Sequence, residues 1–164
     1  MSDAAMDESR APPRLSLQVQ YIKDLSFENP NAPSSLRSQQ GQPAINFNVD
    51  IEARALGNAN YEVGLRITAN ASRSDKTLFL VELQYCSVFL IQNFPSERLE
   101  SVCMIDCPRI MYPFARRIIA ETTRKGGFAP LLLDPINFDV LYQQRHAKEA
   151  STLADLNTPA PVSD

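Results

Sequence analysis

The chain has one histidine, three cysteines and five glycines among its 164 residues, and each scarcity narrows its chemistry. Three cysteines, without a leader-like segment, fit reduced thiols better than a disulfide framework. Structural zinc calls for paired Cys-x-x-Cys or His-x-x-x-His spacings, and neither occurs. Cys103 and Cys107 would need Cys86 and His146 to join them, and Pro108 sets the two cysteines across a helix start. Small buried thiols are the expectation. His146 lies in a polar stretch, a poor place for a base that must be held against a nucleophilic thiol. No Gly-x-x-x-x-Gly-Lys-Ser/Thr or Gly-x-Gly-x-x-Gly phosphate cradle is present, and no carboxylate pair is marked as an acid–base couple. The chain reads as non-enzymatic, with no cofactor and no metal.

Long apolar runs are also missing. None approaches the ~18 uncharged residues that a membrane span requires, and the longest candidate, Thr77 to Ile91, is broken by Glu82. The N-terminal MSDAAMDESRAPP has no apolar core of a secretory signal. A cytoplasmic protein without membrane insertion is expected. The net charge of −3 opposes nucleic-acid binding through phosphate neutralisation but permits a basic protein partner. A 44% hydrophobic composition at this length fits one self-sufficient domain.

What is present is organised around Cys107 to Leu133. At 100° per residue, Ile110, Met111, Phe114, Ala115, Ile118, Ile119 and Thr122 cover about half of a helix circumference. That stripe is wider than one sheet face needs, so this helix is expected to be covered from two sides. Pro113 should kink it, and Gly126-Gly127 should stop it. An apolar loop follows from Phe128 to Leu133. Asp134-Pro135 should then cap a second, short helix carrying Phe138, Leu141 and Tyr142 at helical spacing. A helix so one-sided is expected to be the least stable element, a mobile lid. Together these features suggest an oligomeric binding protein.

Four strands are expected before the helices. Leu15, Leu17, Val19 and Tyr21 alternate with polar residues, and Ile22 to Glu28 continues the strand after a kink, until Pro30 and Pro33 stop it. Ser34 to Pro43 reads as a polar loop. Ile45 to Glu52 and Tyr61 to Ala69 alternate likewise, with turns over Leu56–Asn60 and Ser72–Lys76. In the fourth strand, Leu78 to Ile91, the odd positions Phe79, Val81, Leu83, Tyr85, Phe89 and Ile91 should face the helices. Leu78 and Leu80 then fall on the solvent face beside Glu82. The expected fold is α+β, with an antiparallel sheet. Disordered tails over 1–13 and 147–164 are expected to flank a domain at 14–146.

Three blocks resemble the SecB family of bacterial protein-export chaperones: YIKDLSFENPNAP from Tyr21, CPRIMYPFAR from Cys107 and GFAPLLLDPINF from Gly127. The resemblance implies a four-stranded antiparallel sheet, a long helix and a shorter C-terminal helix. It implies a homotetramer, a dimer of dimers with the long helices sandwiched between sheets, so that Ile110, Phe114 and Ile118 would lie at an oligomer interface. Val81, Leu83 and Tyr85 match family positions that affect assembly. Asp24, Glu28, Leu80 and Glu82 match the family's docking face for the SecA motor. Unfolded precursor polypeptides would be held in grooves lined by Tyr112, Phe128, Leu131, Leu133, Phe138 and Tyr142. Gly41 departs from the aromatic residue often found before the second strand, and the stretch after Gln84 is bulkier than the Gly-rich family version. The alternatives are a SecB-like stress or toxin–antitoxin chaperone without an export role, and an enzyme using Cys86, Cys103 or Cys107.

Overall fold

The computed structural model describes residues 11–37 and 41–156. The expectations for residues 1–10, for 38–40 in the polar loop and for 157–164 lie outside the described residues. Strands β1 (Arg14–Glu28), β2 (Ala44–Gly57), β3 (Asn60–Arg73) and β4 (Lys76–Gln92) form one antiparallel sheet. The strand order is β1-β4-β3-β2. β2, β3 and β4 make a meander through two-residue turns, Asn58-Ala59 and Ser74-Asp75, all four residues at positive φ. That geometry matches the right-handed twist of hairpin strands. β1 crosses over and pairs with β4, leaving β1 and β2 as the edges.

The alternation of β1 does not run as the sequence pattern implies. Its register against β4 shifts between Leu17 and Val19 and again between Ile22 and Asp24. Each shift inserts one extra residue, Gln18 and then Lys23, and an extra residue moves all later side chains to the other face. Leu15 and Leu17 therefore face the helices, whereas Val19 and Tyr21 turn outward. After Lys23, Leu25 and Phe27 return to the helix side, and Asp24, Ser26 and Glu28 point out.

On the helix side, Val63, Leu65, Ile67, Leu83, Phe89 and Ile91 are buried under one continuous helical stretch. It begins with a 3₁₀ turn (Ser96–Arg98), passes through α1 (Leu99–Ser101) and a π-turn (Val102–Asp106), and enters α2 (Cys107–Lys125). No break separates a first helix from a second at Cys107-Pro108. Pro108 has no N–H for the Met104 carbonyl, and the widened π-turn absorbs the defect: the Cys107 amide donates to the Val102 carbonyl, five residues back. Pro113 lies inside α2, on its exposed side. The wide stripe divides cleanly. Met111, Ala115 and Ile119 are fully buried on the sheet, while Ile110 and Phe114 are 40% and 49% exposed.

The two glycines after α2 serve different needs. Gly127 takes φ +95. Around it, the Phe128 amide donates to the Thr123 carbonyl at 3.1 Å and the Gly127 amide to the Arg124 carbonyl at 3.0 Å. This is the Schellman pattern of helix termination. Gly126 keeps an ordinary φ of −74. It is glycine because a Cβ there would stand 2.2 Å from Cζ of Phe27. Phe27 in turn packs with Phe79 (ring centroids 5.9 Å apart), and Phe79 with Phe128 at 5.0 Å.

The last helix, α3 (Phe138–Leu156), starts later and ends later than the sequence suggests. Asn137 is its cap, with Oδ1 accepting from the amides of Asp139 at 3.1 Å and Val140 at 3.2 Å. Asp134-Pro135 lies in the extended segment before it. Helix continues beyond residue 146 through Lys148, Glu149 and Ala150, all good helix formers. The polar composition there removes packing, not helicity: Leu153 is 65% exposed.

Gly126→Ala should cost about 1–3 kcal/mol, because Phe27 must leave its place in the aromatic cluster. Thermal unfolding of the variant checks this; an unchanged Tm would mean that the ring yields without loss.

Candidate functional site

The outer face of the sheet gathers the four residues of the expected docking patch. Glu28 stands opposite Leu80, Ser26 opposite Glu82 and Asp24 opposite Gln84 on β4. Three successive rows on two neighbouring strands, at about 3.4 Å per residue, make a patch roughly 14 Å long. Leu80 is 40% exposed, an apolar side chain among three carboxylates. Leu78, expected beside it on the solvent face, is buried at 6% exposure. It lies by the register shift between Ala71 and Ser72, where Asn31 Nδ2 donates to the Thr77 carbonyl at 2.8 Å and ties the loop after β1 to the strand.

Next to this patch lies a polar centre that the sequence did not mark. The Glu62 side chain of β3 is only 12% exposed and accepts from three donors. Arg54 Nε on β2 lies 3.0 Å from its Oε1 and Lys23 Nζ on β1 lies 3.3 Å from the same oxygen. The Tyr21 hydroxyl donates to Oε2. Glu62 thus reaches across β4 to β1 and sideways to β2. The bonds from Arg54 and then Tyr21 outweigh burial and lower its carboxyl from 4.5 to about 2. Burial, with Glu62 beside it, pushes Tyr21 up to about 12. One row away, Gln84 Nε2 donates to Glu52 Oε1 at 2.9 Å, passing Gly64. A Cβ at Gly64 would meet Glu52 Cγ at 3.3 Å and Cys86 Sγ at 3.4 Å.

On the helix side, the six residues expected to line a client groove separate. Tyr112, Leu131, Leu133 and Phe138 are buried at 4%, 8%, 2% and 2% exposure. They are packed core, which corrects their reading as open groove lining in the single chain. Their reason is visible: Tyr112 donates to the Asp134 carbonyl at 2.5 Å and meets the Phe138 ring edge-on. Thr123 Oγ1 accepts the Leu131 amide at 2.9 Å, which docks the loop onto α2. Phe128 and Tyr142 are partly open. Exposed apolar residues include Leu132 at 75%, with Ile45 and Phe47 at 42% and 40%. The two β2 residues share rows with Phe79 and Val81 on the helix side of the sheet. Their alternation signalled a buried face, but α2 covers β3 and β4 and stops short of that end of β2.

Val81, Leu83 and Tyr85 lie in the subunit's own core at 3%, 0% and 6% exposure, so they offer no free surface. Ile110, Phe114 and Ile118 lie along the side of α2 turned from the sheet. A cleft of about 640 Å³ opens between the free edge of β2 and α3, where Arg145 Nη1 donates to the Ile51 carbonyl at 2.7 Å.

The three thiols are buried. Burial pushes Cys103 up to about 11 and raises Cys86 and Cys107 as well. A thiol so placed is protonated at neutral pH, whereas a nucleophile needs the thiolate. His146 instead stands 3.4 Å from Glu100.

A model of the family described as preprotein translocase subunit SecB matches residues 8–149. The chain belongs to the SecB family. It is 51% identical to the protein-export protein SecB of Afipia carboxidovorans over 147 residues, 90% of this chain and 91% of that one. Against the protein-export protein SecB of Parvibaculum lavamentivorans the identity is again 51%, with 88% of each chain covered. The family is one of protein-export chaperones, and the fold agrees. A SecB-like chaperone of Mycobacterium tuberculosis, solved in complex with a ChAD peptide from the HigA1 antitoxin, superposes with a TM-score of 0.62. It covers 75% of this chain and 91% of that one at 11% identity, a likeness of fold alone. Among the described residues, no helix is long and apolar enough to cross a membrane.

Because its folded value lies below the unfolded one, Glu62 contributes stability that is full above about 4.5 and is lost as the pH falls towards about 2. Urea midpoints should therefore fall more steeply over that window for the native chain than for Glu62→Gln, which has no carboxyl to titrate.

Proposed function

We propose that the chain is an ATP-independent holdase that keeps export precursors unfolded and hands them to the SecA motor from the cytoplasm. The observation that carries this reading is the two-sided sheet. Asp24, Glu28, Leu80 and Glu82 share its outer face, and the exposed apolar residues Ile45 and Phe47 lie on the other. One side suits a basic folded partner and the other suits apolar segments of an unfolded chain, so a single subunit can hold both together.

Holding needs no bond chemistry. A ligand that binds only the unfolded state shifts folding by RT ln(1 + [L]/Kd), about 2.7 kcal/mol at a hundredfold excess over Kd. Against a typical stability of about 5–15 kcal/mol, that is enough to delay slow folders. The groove we infer is lined by Phe128, Leu132, Phe47 and Tyr142 rather than by Leu131, Leu133, Phe138 and Tyr112. Assembly as a dimer of dimers would cover Ile110, Phe114 and Ile118. The exposed Leu17, Ile22 and Leu25 on edge strand β1 support an assembled state as well. Val81, Leu83 and Tyr85 would then affect assembly through the sheet beneath α2 and not by direct contact. Several grooves in one tetramer would give a long client avidity without any tight single site. With its thiols protonated, the chain needs no enzymatic step, and release falls to the partner. Its charge-based docking should weaken with salt.

Glu82→Lys should weaken SecA docking by more than about tenfold and leave client holding intact, as measured by calorimetry and by light scattering of a refolding client. Loss of both together would point to misfolding, and retained docking would sink the outer-face reading and favour a SecB-like chaperone without an export role. Phe47→Ser with Leu132→Ser should weaken client binding by about fivefold, from roughly 1 kcal/mol of lost apolar burial. Unchanged fluorescence anisotropy of a labelled client peptide would exclude both residues from the groove.

A further inference from the structure

Two cations stand beside the acidic outer face: Arg66 on β3, opposite Gln84 in the row of Asp24, and Lys23, which immediately precedes Asp24 at the second register shift of β1. Tyr21, Lys23 and Asp24 all point outward there, because the extra residue occupies the bulge. A lysine in that place has a long flexible stem. Left free, it can fold onto Asp24 or towards Glu82 and both neutralise the patch and repel a basic partner. It does neither. Its Nζ is drawn away from the patch, 3.3 Å from Glu62 Oε1 on β3. The same carboxylate takes Arg54 Nε at 3.0 Å, so a second cation is turned to it as well. The Tyr21 hydroxyl fills the other oxygen and fixes the residue two places before the bulge.

We propose that Glu62 is a positioning residue for docking: it sequesters Lys23, and so keeps the Asp24, Glu28 and Glu82 patch more acidic for a basic protein partner that Glu62 itself does not touch. The same grip on Tyr21 and Lys23 holds the bulge whose parity turns Asp24 and Glu28 outward. This rests on the outer-face docking reading above and adds to it the residue that sets the patch's charge.

The test uses the full assembled chain and SecA, in four variants beside the wild type. Glu62→Gln keeps an oxygen to accept from Tyr21 but releases the lysine. Docking should weaken about 2–5-fold, the scale of one exposed charge pair, and its dependence on salt should flatten. Lys23→Gln alone should leave docking at or slightly above the wild-type level. The double variant Glu62→Gln/Lys23→Gln should recover most of the loss. A purely structural staple predicts the opposite, with the double variant at least as weak as Glu62→Gln, and that result overturns the proposal; so does unchanged docking in Glu62→Gln. Light-scattering protection of a client should be equal in all variants. Glu82→Lys in the same assay separates the two layers: if it docks normally the outer-face reading fails, whereas if it fails to dock while Glu62→Gln behaves as wild type, only the role of Glu62 is lost.

Discussion

The period of two along a strand is the constraint on which the rest of this molecule depends. β1 must serve both faces of the sheet from one edge, and a regular strand with its sequence would misplace half of its side chains. Without the extra residue at Lys23, Asp24 and Glu28 would be driven against α2, and Phe27 would face solvent. Two inserted residues settle the matter. They send Leu15 and Leu17 to the helix side, Val19 and Tyr21 outward, and then reverse the assignment. The acidic patch, the aromatic cluster of Phe27, Phe79 and Phe128, and the Glu62 centre all inherit their positions from that pair of shifts.

The second organising feature is the division of α2. Met111, Ala115 and Ile119 secure the helix to its own sheet, which leaves Ile110 and Phe114 exposed and Ile118 partly so in the single chain. An exposed apolar row of this kind is expected where it meets another surface. The π-turn before Cys107 belongs to the same economy of shape. It carries Pro108 without ending the helical stretch, so Val102, Cys103 and Cys107 run as one buried row into α2.

Much of this was legible in the chain. The four strands, the helix over 107–125, its glycine stop and its two-sided stripe follow from alternation, 3.6-residue spacing and end signals. The first β1 bulge was not, because Leu15, Leu17, Val19 and Tyr21 spell an unbroken alternation and only pairing with β4 reveals the extra residue; the second falls where the strand was expected to kink, at Ile22. The burial of four expected groove residues was missed for a related reason. Leu131, Leu133 and Phe138 look like a free apolar loop by composition, but Thr123 and Tyr112 supply polar anchors that pull the loop into the core. Phe47 and Leu132 could have been found only by knowing how far α2 reaches across the sheet. Glu62 carried no signal at all, since its three donors come from residues 8, 39 and 41 positions away.

The close approach of Phe27 to Gly126 bears on both faces of the sheet. Phe27 sits between Ser26 and Glu28, whose side chains stand on the outer face, while its own ring is wedged beneath the end of α2. The outer patch and the start of the apolar loop are thus separated by the thickness of one strand and joined by a single backbone. The helix end that Phe27 supports leads directly into Phe128, whose ring centroid lies 6.5 Å from that of Phe27, so the two faces of the sheet meet through one aromatic contact.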